Sequence, residues 1–578
     1  MPGINLTRDE AAERAALLDV DGYAIELDLT TGDTTFRTTT RLTFSAARPG
    51  ASTFIDLIAP TVHEVVLNGV TLPVGEVVSS GRIALPDLAA ENELLVVADG
   101  EYMHTGEGLH RFVDPVDGQV YLYSQFEVAD ARRVFCCFDQ PDLKATYTLT
   151  VTAPSGWQVV SVSPTPQPAP AAEGSSTWRF APTPPLSTYV TALVAGPYHC
   201  VRSELTSRDG RTIPLGVFCR ASLAENLDAD NVTDITRAGF THFEALFDVA
   251  YPFEKYDQLF VPEFNAGAME NAGTVTLTEV YVFRSKVPQA TIERRALTIL
   301  HELAHMWFGD LVTMRWWDDL WLNESFAEYV STRCQADVTR WSTAWTTFLS
   351  SEKSWAYRQD QLASTHPIVA DIRDLDDVEV NFDGITYAKG ASVLKQLVHW
   401  VGREGFDAGL RNYFAKHAWG NTTLADLLTE LEQTSGRDLD AWSTGWLREA
   451  GVTTLRPSIE TDAGGLVIAA SIQQDAPAAN PVLRPHRLAV GAYTLTDGRL
   501  VRTRRIELDV AGGTTAVPEL LGHPRPDLLL VNDDDLAYAK IRLDPASMAT
   551  AIAHLADFED SLARTLVWGA AWDRTRDA

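Results

Sequence analysis

The chain has 578 residues, with 78 Asp and Glu against 47 Lys and Arg, for a formal net charge of −31. That length exceeds a single domain and accommodates three or four. The acidic balance argues against nucleic acid or an anionic membrane as partner, and no stretch approaches the ~20 apolar residues of a membrane span.

Along the chain, Thr7-x-x-Glu10 predicts a capping box opening a short amphipathic helix through Leu18, where a secretory leader would be apolar. Residues 20 to 200 alternate in short strands such as YAIELDLT, TRLTFSA and TYTLTVTAP, broken by turn clusters, which indicates an all-β domain over 1–200. The Pro-rich stretches at 164–170 and 182–185 read as surface loops. After a few strands, helical patterns dominate 201–447. Among them, residues 291–308 keep a helical apolar face that stops at Gly309. Alternation returns over 448–543, with Asp497-Gly498 as a hairpin turn, so a small β-sandwich is expected. Residues 546–557 read as a helix, and Ser561 is a candidate cap for another running through Trp568 and Trp572, giving a last region of 544–578. The five cysteines, Cys136, Cys137, Cys200, Cys219 and Cys334, are odd in number and lack a Cys-x-x-Cys pair. Reduced thiols in the cytoplasm are therefore expected.

The chemistry concentrates in HELAHMWFGDLVTMRWWDDLWLNESFAE, residues 301–328. His301 and His305 are one helical turn apart, so both imidazoles project from one face and can reach a single ion at about 2.0–2.1 Å. Glu302 is rotated off that face, beside a water rather than on the metal. The bare motif fits an amphipathic core helix with buried histidines equally well. Glu324, eighteen residues beyond His305 on what reads as the next helix, adds a third, carboxylate ligand and leaves a fourth position open, as in catalytic zinc sites. Glu328, a turn further, can accept a proton from a ligand imidazole. The tryptophans at 307, 316, 317 and 321 read mostly as packing around this segment.

A second motif, NAGAMENAG over 265–273, lies between the strand-like segments 258–264 and 274–283. Glycine allows close backbone approach, and an edge strand can pair with an extended peptide, which would put the Glu270 carboxylate beside it. By itself the pentapeptide also fits a plain turn with a solvated glutamate. Tyr387 belongs to an apolar helical stripe with Ala391, Leu394 and Val398, which on its own reads as core.

Gly-Ala-Met-Glu-Asn about thirty residues before H-E-x-x-H-x18-E resembles the aminopeptidase N family of zinc metallopeptidases. The match extends through 121–145, similar to the family's N-terminal signature, and 384–394, similar to the segment with its catalytic tyrosine. The opening MPGINLTRDEA and the tail resemble actinobacterial members. The resemblance implies a multidomain α+β protein: an N-terminal all-β domain, a thermolysin-like α/β catalytic domain, a small β-sandwich, and the start of a C-terminal helical domain most of which is expected to be missing. It further implies one Zn2+ per chain on His301, His305 and Glu324, with Glu302 as general base and acid and Tyr387 stabilising the oxyanion. Substrate contacts fall on Gln125, Glu127, Ala266, Gly267, Ala268, Met269, Glu270 and Asn271. In that set Glu127 and Glu270 hold the free α-amine, and the backbone at Gly267 and Ala268 pairs with the peptide.

The expected function is a cytoplasmic, monomeric aminopeptidase of the alanyl type, acting on peptides with a free N-terminus. Ala266 stands where some relatives carry a bulkier methionine, which suggests a roomy first pocket. Gln140, where many relatives carry Glu, is expected to be structural. Three other functions fit the sequence less well. A related lipid-epoxide hydrolase typically has Gly-Gly-Met-Glu-Asn, and Ala268 argues against it. A binding module that has lost activity is at odds with the intact motifs. An endopeptidase would lack the paired glutamates.

Overall fold

In the computed structural model, which describes residues 4–172 and 174–577, the predicted capping box forms as expected. Thr7 Oγ1 accepts from the Glu10 amide (3.2 Å) and Glu10 Oε2 accepts from the Thr7 amide (3.0 Å), a reciprocal cap whose Thr is worth about 1 kcal/mol. Helix α1 (Arg8–Leu17) ends where strand β1 (Leu18–Asp28) begins. Buried residues alternate along β1 and β2 (Thr35–Ala46), as a sheet with one covered face requires. These strands, β3 (Glu91–Met103), β4 (Gly108–Val113), β5 (Val120–Gln125) and β6 (Thr146–Pro154) belong to one twelve-stranded sheet. Its pairings are mostly antiparallel, with β1–β6 and β3–β4 parallel. Gln140 is buried: it accepts from Arg14 Nε (2.6 Å) and donates to the Ala11 carbonyl (3.0 Å), a structural role that ties α1 to the loop after β5.

The chain forms two compact units, the first being Met1–Trp317 with 372–380 and 414–423. Besides the large sheet, this unit holds a five-stranded sheet of β7 (His199–Thr206), β8 (Thr212–Cys219), β9 (Tyr256–Val261), β10 (Ala268–Met269) and β11 (Thr274–Thr278). Its order is β7-β8-β9-β11-β10, which leaves β10 as an edge strand. The flanking strands are shorter than the sequence predicts. Residues 279–281 turn into a 3-10 helix, where the Thr278 hydroxyl accepts from the Val280 amide, so strand pairing stops at Thr278. Helices α2 (Ala229–Phe247) and α3 (Gln289–His305) pack closely because Gly239 has no Cβ, which would stand 2.7 Å from Leu300 Cδ2. Helix α3 begins and ends earlier than expected. It starts just after Pro288 and stops at His305, and Gly309, at φ +115°, bends the chain only after an intervening turn.

The second unit comprises 318–371, 381–413 and 424–578. Helix α4 (Trp321–Val338) is buried almost all round over its first fifteen residues, so it shows no amphipathic face. Helix α5 (Gly390–Val401) crosses it closely. Beyond these, β12 (Thr454–Thr461), β13 (Val467–Asp475), β14 (His486–Thr496), β15 (Arg499–Val510) and β16 (Leu528–Asp533) lie in two sheets that share one core of Leu455, Ile472, Leu488, Val490, Leu500 and Leu530. Asp497 and Gly498 both have positive φ, as the hairpin turn between β14 and β15 requires. Helices α6 (Pro545–His554) and α7 (Ser561–Arg576) cover this core with Ala551, Ala563, Leu566 and Ala570, while Trp568 and Trp572 are exposed. The cap of α7 is Asp560 rather than Ser561, since its carboxylate accepts from the Leu562 amide. The architecture is multidomain α+β, as expected. Among the described residues no helix is long and apolar enough to cross a membrane.

Candidate active site

His301 and His305 occupy the last turns of α3, their ring centroids 4.7 Å apart. His301 is half-buried and His305 fully buried. His305 Nδ1 lies 3.0 Å from the Phe308 carbonyl, a bond that protonates Nδ1 and leaves Nε2 as the unprotonated nitrogen suited to a metal. Because the helix stops at His305, the Phe308 carbonyl is turned back toward the ring.

The edge strand β10 delivers Glu270 to the same place. Ala268 and Met269 pair antiparallel with Leu277 and Thr276, and the Gly267 carbonyl accepts from the Thr278 amide (3.0 Å), so the next residue is aimed at α3. Donor atoms of Glu270, Glu302 and His305 lie within 4.8 Å of one another, and Glu127 approaches Glu270 within the same limit. Glu270 Oε1 is 3.8 Å from His305 Nδ1. Gln125 ends β5 and Glu127 follows it, both half-buried. Ala266 and Gly267 are exposed, and Ala268 is half-buried. Met269 and Asn271 are buried, and Asn271 Nδ2 donates to Thr276 Oγ1 (3.2 Å), so both side chains serve the sheet.

Two residues in this unit gave no sequence signal. Asp310 is buried, with neither carboxylate oxygen hydrogen-bonded among the described residues. Burial, then the charge of Glu270, pushes its pKa well above the carboxylate range. Lys144 donates to the Asp310 and Leu311 carbonyls (3.1 and 3.3 Å), and burial lowers its pKa to about 7. The spacing of either residue in sequence says nothing, because a long loop closure brings Lys144 to the turn after α3. The tryptophans are packing residues: all four are buried, with Trp307 donating to the Val249 carbonyl and Trp316 to that of Ile372.

The second unit carries Glu324 and Glu328 on α4, both buried. Tyr387 is half-buried and lies in a wide, five-residue π-helical turn (Ile385–Lys389) rather than in the regular helix its apolar stripe predicts. That turn is tied to α4: Ser325 Oγ donates to the Thr386 carbonyl at 2.5 Å. At Gly390 a Cβ would stand 1.9 Å from Ser325 Oγ, so only glycine allows this approach.

The sequence matches the Peptidase M1 N-terminal domain over residues 22–190 and the Peptidase family M1 domain over 232–446. It is 61% identical to the Aminopeptidase N of Streptomyces lividans, in an alignment covering 100% of this chain and 68% of that protein. The chain belongs to the aminopeptidase N family of zinc metallopeptidases. Two further relatives share less of the sequence. Aminopeptidase M1 of Arabidopsis thaliana is 30% identical over 89% of this chain and 59% of its own length. The Leucyl aminopeptidase of Saccharolobus solfataricus is 34% identical over 59% of this chain and 43% of its own length. The chain thus spans about two thirds of its Streptomyces relative and less of the others.

Proposed function

We propose that this M1 chain hydrolyses the N-terminal peptide bond of peptides, using one zinc ion held by His301, His305 and Glu324. The reading rests above all on the clustering of Glu270 and Glu302 beside His305, with Glu127 next to Glu270, several carboxylates gathered at the open edge of a sheet. Two imidazoles one turn apart with one carboxylate form a donor set suited to zinc with a coordination position left for substrate or water. When bound, zinc polarises the scissile carbonyl and acidifies a water.

The chain's own residues do the rest. The free edge of β10 at Gly267 and Ala268 pairs with the extended peptide. Glu127 and Glu270 receive its ammonium group by charge-assisted hydrogen bonds and so fix the distance from the amine to the bond that breaks. Glu302 takes a proton from the attacking water and passes it to the leaving nitrogen. Tyr387 donates its phenolic hydrogen to the oxygen on which charge develops, an interaction realised mainly in the transition state. Glu328 orients a ligand imidazole. Small Ala266 leaves room for large N-terminal side chains; a kinetic panel favouring alanyl over leucyl and phenylalanyl substrates would contradict that. The five free cysteines fit a reducing, cytoplasmic location, and a monomer is proposed with it; a sedimentation value for a dimer would overturn the latter.

Metal analysis tests the assignment. The purified chain is expected to hold one zinc, to lose activity on chelation and regain it on zinc addition, and to lose the ion in Glu324→Gln. A Glu324→Gln protein that keeps stoichiometric zinc would remove Glu324 from the ligand set.

A further inference from the structure

The turn that carries Tyr387 is held by a side-chain network in the second unit with Asp383 at its centre. Asp383 Oδ1 accepts from the amides of Ile385 (2.9 Å) and Thr386 (3.1 Å), and the Asp383 carbonyl accepts from the Tyr387 amide (3.0 Å). The opposite oxygen, Oδ2, receives Gln359 Nε2 and lies 2.8 Å from His366 Nε2. Gln359, at the end of the short helix Ser354–Gln359, also accepts the Gly384 amide through Oε1 (2.8 Å). The Ile385 and Thr386 amides thus depend on where the Asp383 carboxylate sits, and the Gly384 amide on Gln359, which bonds the same carboxylate. Two neutral or charged donors, Gln359 and His366, decide that position.

We propose that His366 is a positioning residue for Tyr387, holding Asp383 so that its carboxylate caps the π-helical turn and fixes the phenol. This rests on the reading of Tyr387 as the oxyanion donor. A misplacement of about 1 Å at such a donor is worth roughly 100-fold in rate, so a cap remote from the substrate can control turnover.

The geometry also defines the protonation state that does this. His366 Nδ1 lies 2.7 Å from the Pro367 carbonyl while Nε2 faces Asp383, so both ring nitrogens meet acceptors. Only the imidazolium donates to both. Two charged groups act on the ring, Asp383 from the loop before the turn and Lys389 from its end, and Lys389 is paired with Asp360 at 2.9 Å. Burial works against the cation. The bond and charge of Asp383 with the Pro367 carbonyl outweigh it, and the net pKa is raised above the ordinary histidine value. The full contact is therefore present below that value and weakens as pH rises through the raised one.

The test compares wild type, His366→Ala, His366→Gln, Tyr387→Phe and the double variant His366→Ala/Tyr387→Phe, all in the complete chain with zinc content measured. His366→Ala is expected to lower kcat about 10- to 100-fold with KM and zinc unchanged, and His366→Gln, which keeps one donor toward Asp383, to recover part of the loss. In Tyr387→Phe the alanine substitution should add little, since both act through one group. The ratio of wild-type to His366→Gln kcat should fall as pH rises; Lys389 is common to both proteins and cancels. If turnover is too slow to resolve, the same split is read in binding: affinity for a phosphinic dipeptide analogue falls while affinity for free leucine holds. Normal kcat in His366→Ala, normal phosphinate affinity, or full additivity with Tyr387→Phe would overturn the positioning role. Normal kcat in Tyr387→Phe would overturn the reading of the tyrosine itself.

Discussion

Glu270 and Glu302 are each no more than 5% exposed, yet they lie together beside His305, with Glu127 next to Glu270. Gathering carboxylates out of water is unfavourable unless cations join them, and a substrate ammonium and a metal supply that charge. Replacing Glu302 by Gln keeps the shape and removes the base. Steady-state kinetics should then show kcat lower by about 10²–10⁴-fold with zinc content and KM unchanged; a loss smaller than ten-fold would assign the base elsewhere. Glu270→Gln should act on binding instead, raising KM for free-amine substrates by roughly ten-fold or more, the size of one charge-assisted hydrogen bond. His301, Glu302, His305, Glu324 and Glu270 were marked in the sequence, because H-E-x-x-H, Gly-Ala-Met-Glu-Asn and the distant glutamate carry their chemistry in their spacing, whereas Glu127 and Tyr387 were reached only through the family resemblance. Asp310, Lys144, His366 and Asp383 were reached by neither. Lys144 reaches the turn after α3, and His366 reaches Asp383, only through loop closure.

Among the elements, the close crossing of α4 and α5 carries most weight within the second unit. Ser325 follows Glu324 directly and bonds the carbonyl before Tyr387, so the proposed ligand and the proposed oxyanion donor share one short mechanical link. Gly390→Ala would drive a methyl into that hydroxyl. Overpacking of this kind typically destabilises by about 1–3 kcal/mol, so a lower Tm together with a lower kcat is expected, and an unchanged Tm would contradict the tight crossing. Periodicity located helix α3, and strand-like sequence marked the strands around Glu270. It misjudged their ends, for reasons visible in the structure. The Phe308 carbonyl turns back onto His305, Thr278 caps a 3-10 turn, and Asp560 rather than Ser561 offers the better acceptor to α7. The apolar stripe through Tyr387 suggested a regular helix, where the Asp383 cap instead selects a wider turn.

At the scale of the molecule, composition and alternation gave the class and the β–mixed–β–helical order, and the proposed boundaries near 200, 447 and 543 can be checked as sites of limited proteolysis. Where the chain's compact units divide could not be read locally, since segments 372–380 and 414–423 return to the first unit. The β-sheets of the second unit also bury a histidine: His486 is fully inside, near Thr453 and Gln474, and burial lowers its pKa to about 3. Unfolded, it takes a proton near its ordinary value, so the unfolded state binds more protons as pH falls below about 6.5. Stability should therefore drop by about 1.4 kcal/mol per pH unit from this group alone, down to the folded value. Thermal melts between pH 6.5 and 5 should show a shallower decline in His486→Gln; parallel declines would show that His486 is not the group that titrates.

On the proposed function, this chain recognises a free N-terminus and cleaves beside it. The most direct measurement is hydrolysis of leucyl- and alanyl-chromogenic amides next to their N-acetylated forms, with Glu302→Gln as control. Cleavage of the free-amine substrates alone, lost in the control, is the predicted result. Equal cleavage of the acetylated amides, or activity that survives Glu302→Gln, would contradict the account.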